Sequence, residues 1–290
     1  MALLDILRPV LPKKFREKPV VIPTVRLSGP IMFSQNYKPT LSIATAAGPL
    51  KKAFSIKDAP AVAIVVNSPG GSPVQSNLIF KRIRALAEEN DKKVIVAVED
   101  VAASGGYMIA VAGDEIIADR SSIVGSIGVI SAGFGFTGLI EKLGVDRRVY
   151  TAGKNKMILD PFQPEKKTDI QYLKNIQLEI HEMFVDLVKS RRGDLLAKDK
   201  EEIFSGRFWT GETGQALGLV DRIGDLRSYI KETYGEKAEI KVIGSGGGLF
   251  NRPKPNGVSA DMNLETIGAG FADEVISKAE ERALWARYGL

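Results

Sequence analysis

The stretch Val101-Ala-Ala-Ser104-Gly-Gly-Tyr107 places a serine between two predicted elements. The apolar run at residues 94–98 predicts a buried strand before it, and the small residues after it predict a helix that begins at Gly105. A serine at a strand-to-helix turn lies beside the unpaired N–H groups of the helix start. The pattern fits both a nucleophilic serine and an ordinary N-cap serine, and on its own it favours the N-cap.

The chain before this stretch predicts the unit from which the fold is built. A short apolar run at residues 62–66 predicts a strand buried on both faces, and it ends in the loop Asn67-Ser-Pro-Gly-Gly-Ser72. Residues 73–90 predict an amphipathic helix that leads to the strand at 94–98. A strand–helix–strand unit requires parallel strands and a right-handed crossover. We therefore expect an α/β fold, a parallel sheet of βαβ units flanked by helices.

The whole chain divides into three predicted parts. Residues 1–18 form a basic N-terminal extension, residues 19–235 the α/β domain, and residues 236–290 a linker and a C-terminal helical tail. Further strands are predicted at residues 20–27, 115–118, 126–130, 147–151 and 206–209. Further helices are predicted at residues 41–54, with a break at Gly48-Pro49, and at 139–143, 165–192, 211–217, 224–234 and 273–287.

Composition limits both the chemistry and the location. The chain has no cysteine and one histidine, which excludes thiol catalysis and nearly excludes a zinc site, and we expect no cofactor. No apolar run is long enough to span a bilayer and no signal peptide is visible, which predicts a cytoplasmic protein. The basic residues 1–18 either rest on the inner, anionic face of the membrane or form a solvated tail. Because no basic stripe recurs elsewhere, no nucleic-acid partner is expected.

The loop at residues 67–72 leaves the carboxyl end of a predicted parallel strand, where open α/β sheets bind ligands. Gly70 and Gly71 allow backbone N–H groups to face a substrate carbonyl, as an oxyanion hole requires. Because Ser104 follows the next strand, we expect the two loops to lie at the same edge of the sheet. This arrangement supports the nucleophilic interpretation of Ser104, although the loop taken alone is an ordinary turn.

A nucleophilic serine also requires a proton acceptor. His181 lies among charged residues in the predicted helix at 165–192, and we interpret it as a solvated residue and not as the base. A lysine can replace histidine only when neutral, which requires burial to lower its pKa from about 10.4. Lys156, before the apolar run Met157-Ile-Leu159, is either that base or a loop lysine. Gly133-Phe-Gly-Phe-Thr-Gly138 fits the dinucleotide fingerprint, but the helix after it is too short for such a site.

Several ordered motifs together resemble a known family. Asn67-Ser-Pro-Gly-Gly71, Ala102-Ala-Ser-Gly-Gly-Tyr107, Gly125-Ser-Ile-Gly-Val129 and Ala152-Gly-Lys-Asn-Lys156 resemble the signal peptide peptidase A (SppA/SohB) family of bacterial serine peptidases. Gly206-Arg-Phe-Trp-Thr-Gly211 with Ala216-Leu-Gly-Leu-Val-Asp221 resembles the segment that closes the family's domain. The similarity covers residues 20–235 and implies a ClpP/crotonase-like fold.

The resemblance also implies the roles of individual residues. Ser104 takes the place of the nucleophile and Lys156 that of the general base, so that the two form a Ser–Lys dyad. Ser126 takes the place of a hydroxyl that hydrogen-bonds the lysine. Short members of the family are expected to form homo-oligomeric rings in which the lysine reaches a neighbour's serine, so a ring is the expected assembly here.

The resemblance places the oxyanion hole at the N–H groups of Gly71 and Gly105, with Gly70 in the same loop. It implies a serine endopeptidase that cleaves unfolded or apolar peptides, such as signal-peptide remnants. Two alternatives stay open: a crotonase-like acyl-CoA enzyme, which shares the fold and the oxyanion hole, and a catalytically dead peptide-binding scaffold. The chain departs from the family in having no visible transmembrane segment and in having Met157 where a small or acidic residue is more usual.

Overall fold

The computed structural model describes residues 19–33, 40–197, 200–244 and 282–290. The predicted extension 1–18, and with it the predicted membrane contact, lies outside the described residues, as do nearly all of the predicted linker and most of the predicted helix at 273–287. The described strands are β1 (Val21–Ser28), β2 (Ala61–Ser68), β3 (Lys93–Ala103), β4 (Glu115–Ala118), β5 (Ile123–Gly125), β6 (Phe208–Thr210), β7 (Arg222–Ile223) and β8 (Glu239–Val242).

These strands form one sheet in the order β6-β5-β3-β2-β1-β8, with β4 beside β3 and β7 beside β4. Every neighbouring pair is parallel except β5 and β6, which are antiparallel. The long strand β3 pairs with β4 along its first half and with β5 along its last three residues. The predicted α/β fold with a parallel sheet is confirmed.

Helices cover both faces of the sheet. Along β2 the side chains alternate: Val62 and Ile64 belong to the larger core, whereas Ala61 and Ala63 belong to a smaller core on the other face. This explains the continuous apolar sequence, because a strand with helices on both sides has no polar face. The described helices are α1 (Ile43–Phe54), α2 (Pro73–Asn90), α3 (Gly105–Ala110), α4 (Thr137–Lys142), α5 (Lys167–Arg192), α6 (Lys200–Ile203), α7 (Gly211–Ala216) and α8 (Leu226–Tyr234).

Some predicted elements differ from the observed ones. Helix α1 continues through Gly48-Pro49, where a break was expected. A proline crowds the Cβ of the residue before it, and because Gly48 has no Cβ the helix tolerates the ring at this point. The sheet also extends beyond residue 235, since β8 pairs with β1.

The strands predicted at residues 126–130 and 147–151 are not formed. Ser126 has φ 54°, which turns the chain out of the extended conformation directly after β5. Residues 129–166, which we call the arm, then leave the sheet and include the short helix α4. Most arm residues are exposed, and no strand lies beside residues 147–151 in the described part of the chain. Among the described residues, no helix combines the length and the apolar character needed to cross a bilayer.

Candidate active site

Ser104 stands at the carboxyl end of β3 and caps α3, in a backbone conformation that serine rarely adopts. Its φ is 52° and its ψ is −122°. Such a conformation costs about 1–3 kcal/mol and persists only where the surroundings hold it in place. Here the N–H of Ser104 donates to the Gly125 carbonyl oxygen at 2.8 Å, and its own carbonyl accepts from Met108 N–H at 3.0 Å. The side chain makes no capping hydrogen bond, so the N-cap interpretation does not account for the hydroxyl.

The loop after β2 lies directly against Ser104, as expected from two neighbouring parallel strands. Ser68 pairs with Ala102 in the register of β2 and β3. A methyl group added at Gly70 would lie 2.8 Å from the Ser104 Cβ and 2.8 Å from the Gly105 nitrogen. Only a glycine allows this approach, because other residues have no room for their Cβ.

Gly71 is held in place by backbone hydrogen bonds from the residues on both sides of it to Ile31. The carbonyl of Gly70 and the N–H of Ser72 both hydrogen-bond to the backbone of Ile31, at 2.8 and 2.7 Å. Between them, Gly71 has φ 140°, and a methyl group there would lie 2.1 Å from the Ile31 carbonyl oxygen. Within the described chain, neither the N–H of Gly71 nor that of buried Gly105 has a hydrogen-bond partner. Free N–H groups on both sides of Ser104 are what an oxyanion hole requires.

A second loop, after β5, reaches Ser104 from the other side. Ala103 pairs with Gly125, so Ser126 follows β5 as Ser104 follows β3. Ser126 is buried, and its N–H donates to the Arg207 carbonyl oxygen at 2.7 Å. Ser104 and Ser126 both line an open cavity of about 490 Å³. The structure therefore brings together Ser104, Ser126 and the glycine loop.

Lys174 and Arg287, which the sequence did not single out, also line this cavity, and so does His181. His181 is less solvated than predicted, because it is half-buried and its Nε2 lies 3.1 Å from the Ile127 carbonyl oxygen. That His181 is not the base stays a prediction. His181 precedes the buried residues Phe184 and Val188 by three and seven positions. This helical spacing indicates that His181 lies on the buried side of α5.

Lys156 lies elsewhere in the structure. It belongs to the arm, it is exposed, and it is not among the residues that line the cavity of Ser104. The fold of one chain therefore does not bring the two predicted dyad residues to the same cavity. The role of Lys156 stays a prediction.

The turn that carries Lys156 is nevertheless ordered by local contacts. The Lys156 N–H donates to the Gly153 carbonyl oxygen at 3.2 Å, and Arg147 forms an ion pair with the buried carboxylate of Asp160 at the end of the turn. The Arg147 hydrogen bond holds the pKa of Asp160 below its usual range. The Arg147 guanidinium also stacks on the ring of Phe162, 4.5 Å from its centroid. The arm thus holds Lys156 exposed on a turn that local contacts define.

Comparison with known proteins connects this geometry to a family. Peptidase family S49 matches residues 87–240, just over half of the chain. Putative protease slr0021 of Synechocystis sp. is 34% identical over 201 residues, which cover 66% of this chain and 70% of that protein. The putative signal peptide peptidase SppA of Enterococcus faecium is 35% identical over 176 residues, which cover 60% of this chain and 50% of that protein.

A third relative is much longer than this chain. A protein of Brucella abortus named Na(+)/H(+) antiporter NhaA is 57% identical over 293 residues, which cover 100% of this chain and 40% of that protein. This chain therefore spans less than half of that relative. The similarity does not by itself transfer that protein's named activity to this chain.

Proposed function

This chain belongs to peptidase family S49, and from that premise we propose that it is a serine endopeptidase with Ser104 as nucleophile and Lys156 as general base. The observation that carries the proposal is the setting of Ser104, in a strained turn between the unpaired N–H groups of Gly71 and Gly105. Peptide hydrolysis through a serine needs a nucleophile beside donors that stabilise the developing oxyanion.

The proposed reaction proceeds in two steps. The neutral Lys156 amine takes the proton of the Ser104 hydroxyl, whose oxygen attacks the substrate carbonyl carbon. The resulting oxyanion accepts hydrogen bonds from Gly71 and Gly105, and the lysine returns the proton to the departing amine. A water molecule, deprotonated by Lys156, then hydrolyses the acyl ester and releases Ser104. Ser126 orients the lysine amine in both steps.

We propose that a second copy of this chain supplies Lys156 to each Ser104. The exposed position of Lys156, outside the cavity of its own Ser104, supports this arrangement. The arm also exposes large apolar side chains, which is unusual on a monomer and typical of an interface. They include Ile130, Phe134, Leu139, Leu143, Val145 and Tyr150. A contact between the arm of one copy and the cavity of the next is heterologous, and such contacts form a ring when the rotation between copies closes. We propose that it closes here.

The proposed substrates are unfolded or apolar peptides, such as signal-peptide remnants. A ring with its active sites facing inward admits extended chains and excludes folded proteins. Apolar side chains at the cavity, among them Val129, Ile130 and Leu178, support a preference for apolar substrate residues.

Labelling with a fluorophosphonate probe, followed by digestion of a peptide library, tests this function. The wild type should be labelled and should cleave peptides, whereas Ser104→Ala should do neither. Lys156→Ala should lose peptide cleavage, while Lys154→Ala, which removes a neighbouring exposed lysine of the same turn, should keep it. If Lys156→Ala stayed active and Lys174→Ala or His181→Ala did not, the base would lie within the cavity of the same chain.

A further inference from the structure

Segment 282–290 lies on the candidate active site of its own chain. Residues 282–286 are helical, and Arg287 lines the same cavity as Ser104. Most of this segment is exposed, but Tyr288 is only 8% exposed. One aromatic side chain therefore anchors an otherwise exposed segment beside the proposed nucleophile.

The ring of Tyr288 fills an apolar site formed by the strand that leads to Ser104. It clusters with Val101 and Ala103 of β3 and meets the ring of Phe208 edge-on, with 5.0 Å between the centroids. Aromatic side chains bury a large area and prefer such edge-to-face contacts. Packing of the ring therefore holds Tyr288 in place.

The hydroxyl of Tyr288 touches both loops that flank Ser104. It lies 3.3 Å from Oγ of Ser126 and 3.4 Å from the carbonyl oxygen of Pro69, which immediately precedes Gly70. Both distances exceed the usual range for hydroxyl hydrogen bonds, so these bonds are weak. Tyr288 thus hydrogen-bonds to the Ser126 hydroxyl, which is proposed to orient the amine of Lys156. Because these hydrogen bonds are weak, another group can displace the tyrosine.

The backbone of segment 282–290 does not have the extended conformation of a bound peptide substrate. The N–H groups of Tyr288 and Gly289 donate to the carbonyls of Trp285 and Ala286, at 2.9 and 3.1 Å, in a closed turn. Peptides that add to a sheet edge do so in an extended conformation, with their backbone groups free to pair. The segment therefore fits an occupant of the site better than a substrate.

We infer that segment 282–290 is an autoinhibitory element, in which Tyr288 covers the site and engages Ser126 until an apolar substrate displaces it. The inhibition of Ser104 rests on the proposed function, whereas the contact between Tyr288 and Ser126 does not. It predicts that the isolated chain works below its full capacity, and that weakening the tyrosine contact raises reactivity at Ser104.

The rate of fluorophosphonate labelling of Ser104 in the full chain measures the inhibition. Tyr288→Ala should raise the rate constant at least about tenfold. Tyr288→Phe keeps the ring packing and loses only the hydroxyl contacts, and should raise it about fivefold. Leu290→Ala, an exposed position in the same segment, should leave it unchanged. Labelling of both tyrosine variants at or below the wild-type rate would overturn the inference.

A binding measurement separates this inference from the proposed function. A fluorescent peptide with the sequence of residues 282–290 is added to full chains that carry Ser104→Ala and therefore need no catalysis. It should bind the Ser104→Ala/Tyr288→Ala chain at least about tenfold more tightly than the Ser104→Ala chain, since 1.4 kcal/mol corresponds to tenfold. Equal binding would contradict an intramolecular occupant. Absence of labelling in every variant, with this binding difference intact, would instead refute the peptidase assignment alone.

Discussion

The N–H of Ser104 donates a 2.8 Å hydrogen bond to the carbonyl oxygen of Gly125, which joins the ends of β3 and β5. This bond fixes Ser104, the residue after β3, relative to Ser126, the residue after β5. Ser104 and Ser126 both have positive φ, 52° and 54°, so the chain turns away from the sheet at both points. The pairing of β3 with β5 therefore positions both Ser126 and the proposed nucleophile Ser104.

We expect Ser126→Ala to lower kcat about tenfold to a hundredfold, because the lysine amine loses the hydroxyl that orients it. The comparison should be made in a Tyr288→Phe background, so that the lost tyrosine contact does not offset the effect. Ser121→Ala, at an exposed position before β5, is the control. Unchanged hydrolysis of a fluorogenic peptide by the Ser126→Ala chain would remove Ser126 from the mechanism.

Gly71→Ala should reduce kcat about a hundredfold or more with a smaller change in KM, because one oxyanion donor is displaced. The added methyl group has no room beside the Ile31 carbonyl, so the loop must shift. Gly235→Ala is a matched control, since its φ of 97° imposes similar strain and nothing lies within 4 Å. A change confined to KM at Gly71 would contradict the oxyanion role.

Arg147→Ala should lower peptide cleavage while leaving the main core folded. The arm is separate from the sheet, and the Arg147–Asp160 ion pair orders the turn that carries Lys156. Steady-state kinetics combined with circular dichroism would test this. Arg148→Ala removes a neighbouring arginine whose ion pair with Asp146 is exposed, and it should behave as the wild type. If Arg147→Ala matched Arg148→Ala, the turn would not need this ion pair.

Asp114 should make stability depend on pH. Its carboxylate accepts hydrogen bonds from Val94 N–H at 2.9 Å, Arg84 at 2.7 Å and Arg191 at 2.9 Å. Burial opposes ionisation, but these donors outweigh it and the pKa of Asp114 is lowered. Its stabilisation is therefore present above the unfolded pKa of about 3.9 and is lost as pH falls through the lower folded pKa.

We expect Asp114→Asn to reduce the free energy of unfolding by about 1–3 kcal/mol at pH 7. Urea unfolding of both chains should show this difference shrinking as the pH falls below about 4. A difference that is the same at pH 7 and pH 3 would show that the charge of Asp114 does not contribute.

The sequence predicts the Ser104 region well because its features are local. The unit formed by β2, α2 and β3 follows from strand and helix periodicities, and parallel pairing then brings the loop of Gly71 to Ser104. The strand predicted at residues 126–130 is not formed, because Ser126 takes positive φ and the observed strand ends at Gly125. A local preference for an extended chain cannot anticipate a turn imposed by tertiary contacts.

Residues brought to the site from a distance could not be predicted in this way. Lys174 and His181 reach the cavity because they lie on the part of α5 that lines it, and Tyr288 contacts Ser126 from 162 residues further along the chain. The spacing along α5 indicates which side of that helix is buried, but no pattern near Ser104 indicates which distant residues the fold brings to it. The placement of Lys156 away from its own Ser104 likewise depends on the path of the arm, which follows no strand or long helix.

Mixing two inactive forms of the chain tests most directly whether one copy's Lys156 serves another copy's Ser104. Ser104→Ala and Lys156→Ala chains are combined under conditions in which exchange of subunits is proven, and cleavage of a fluorogenic peptide is measured. If copies share their dyads, some interfaces pair an intact serine with an intact lysine, so activity should return to a substantial fraction of the wild-type value. No recovered activity in the exchanged mixture, or full activity in a wild-type monomer, would contradict the account.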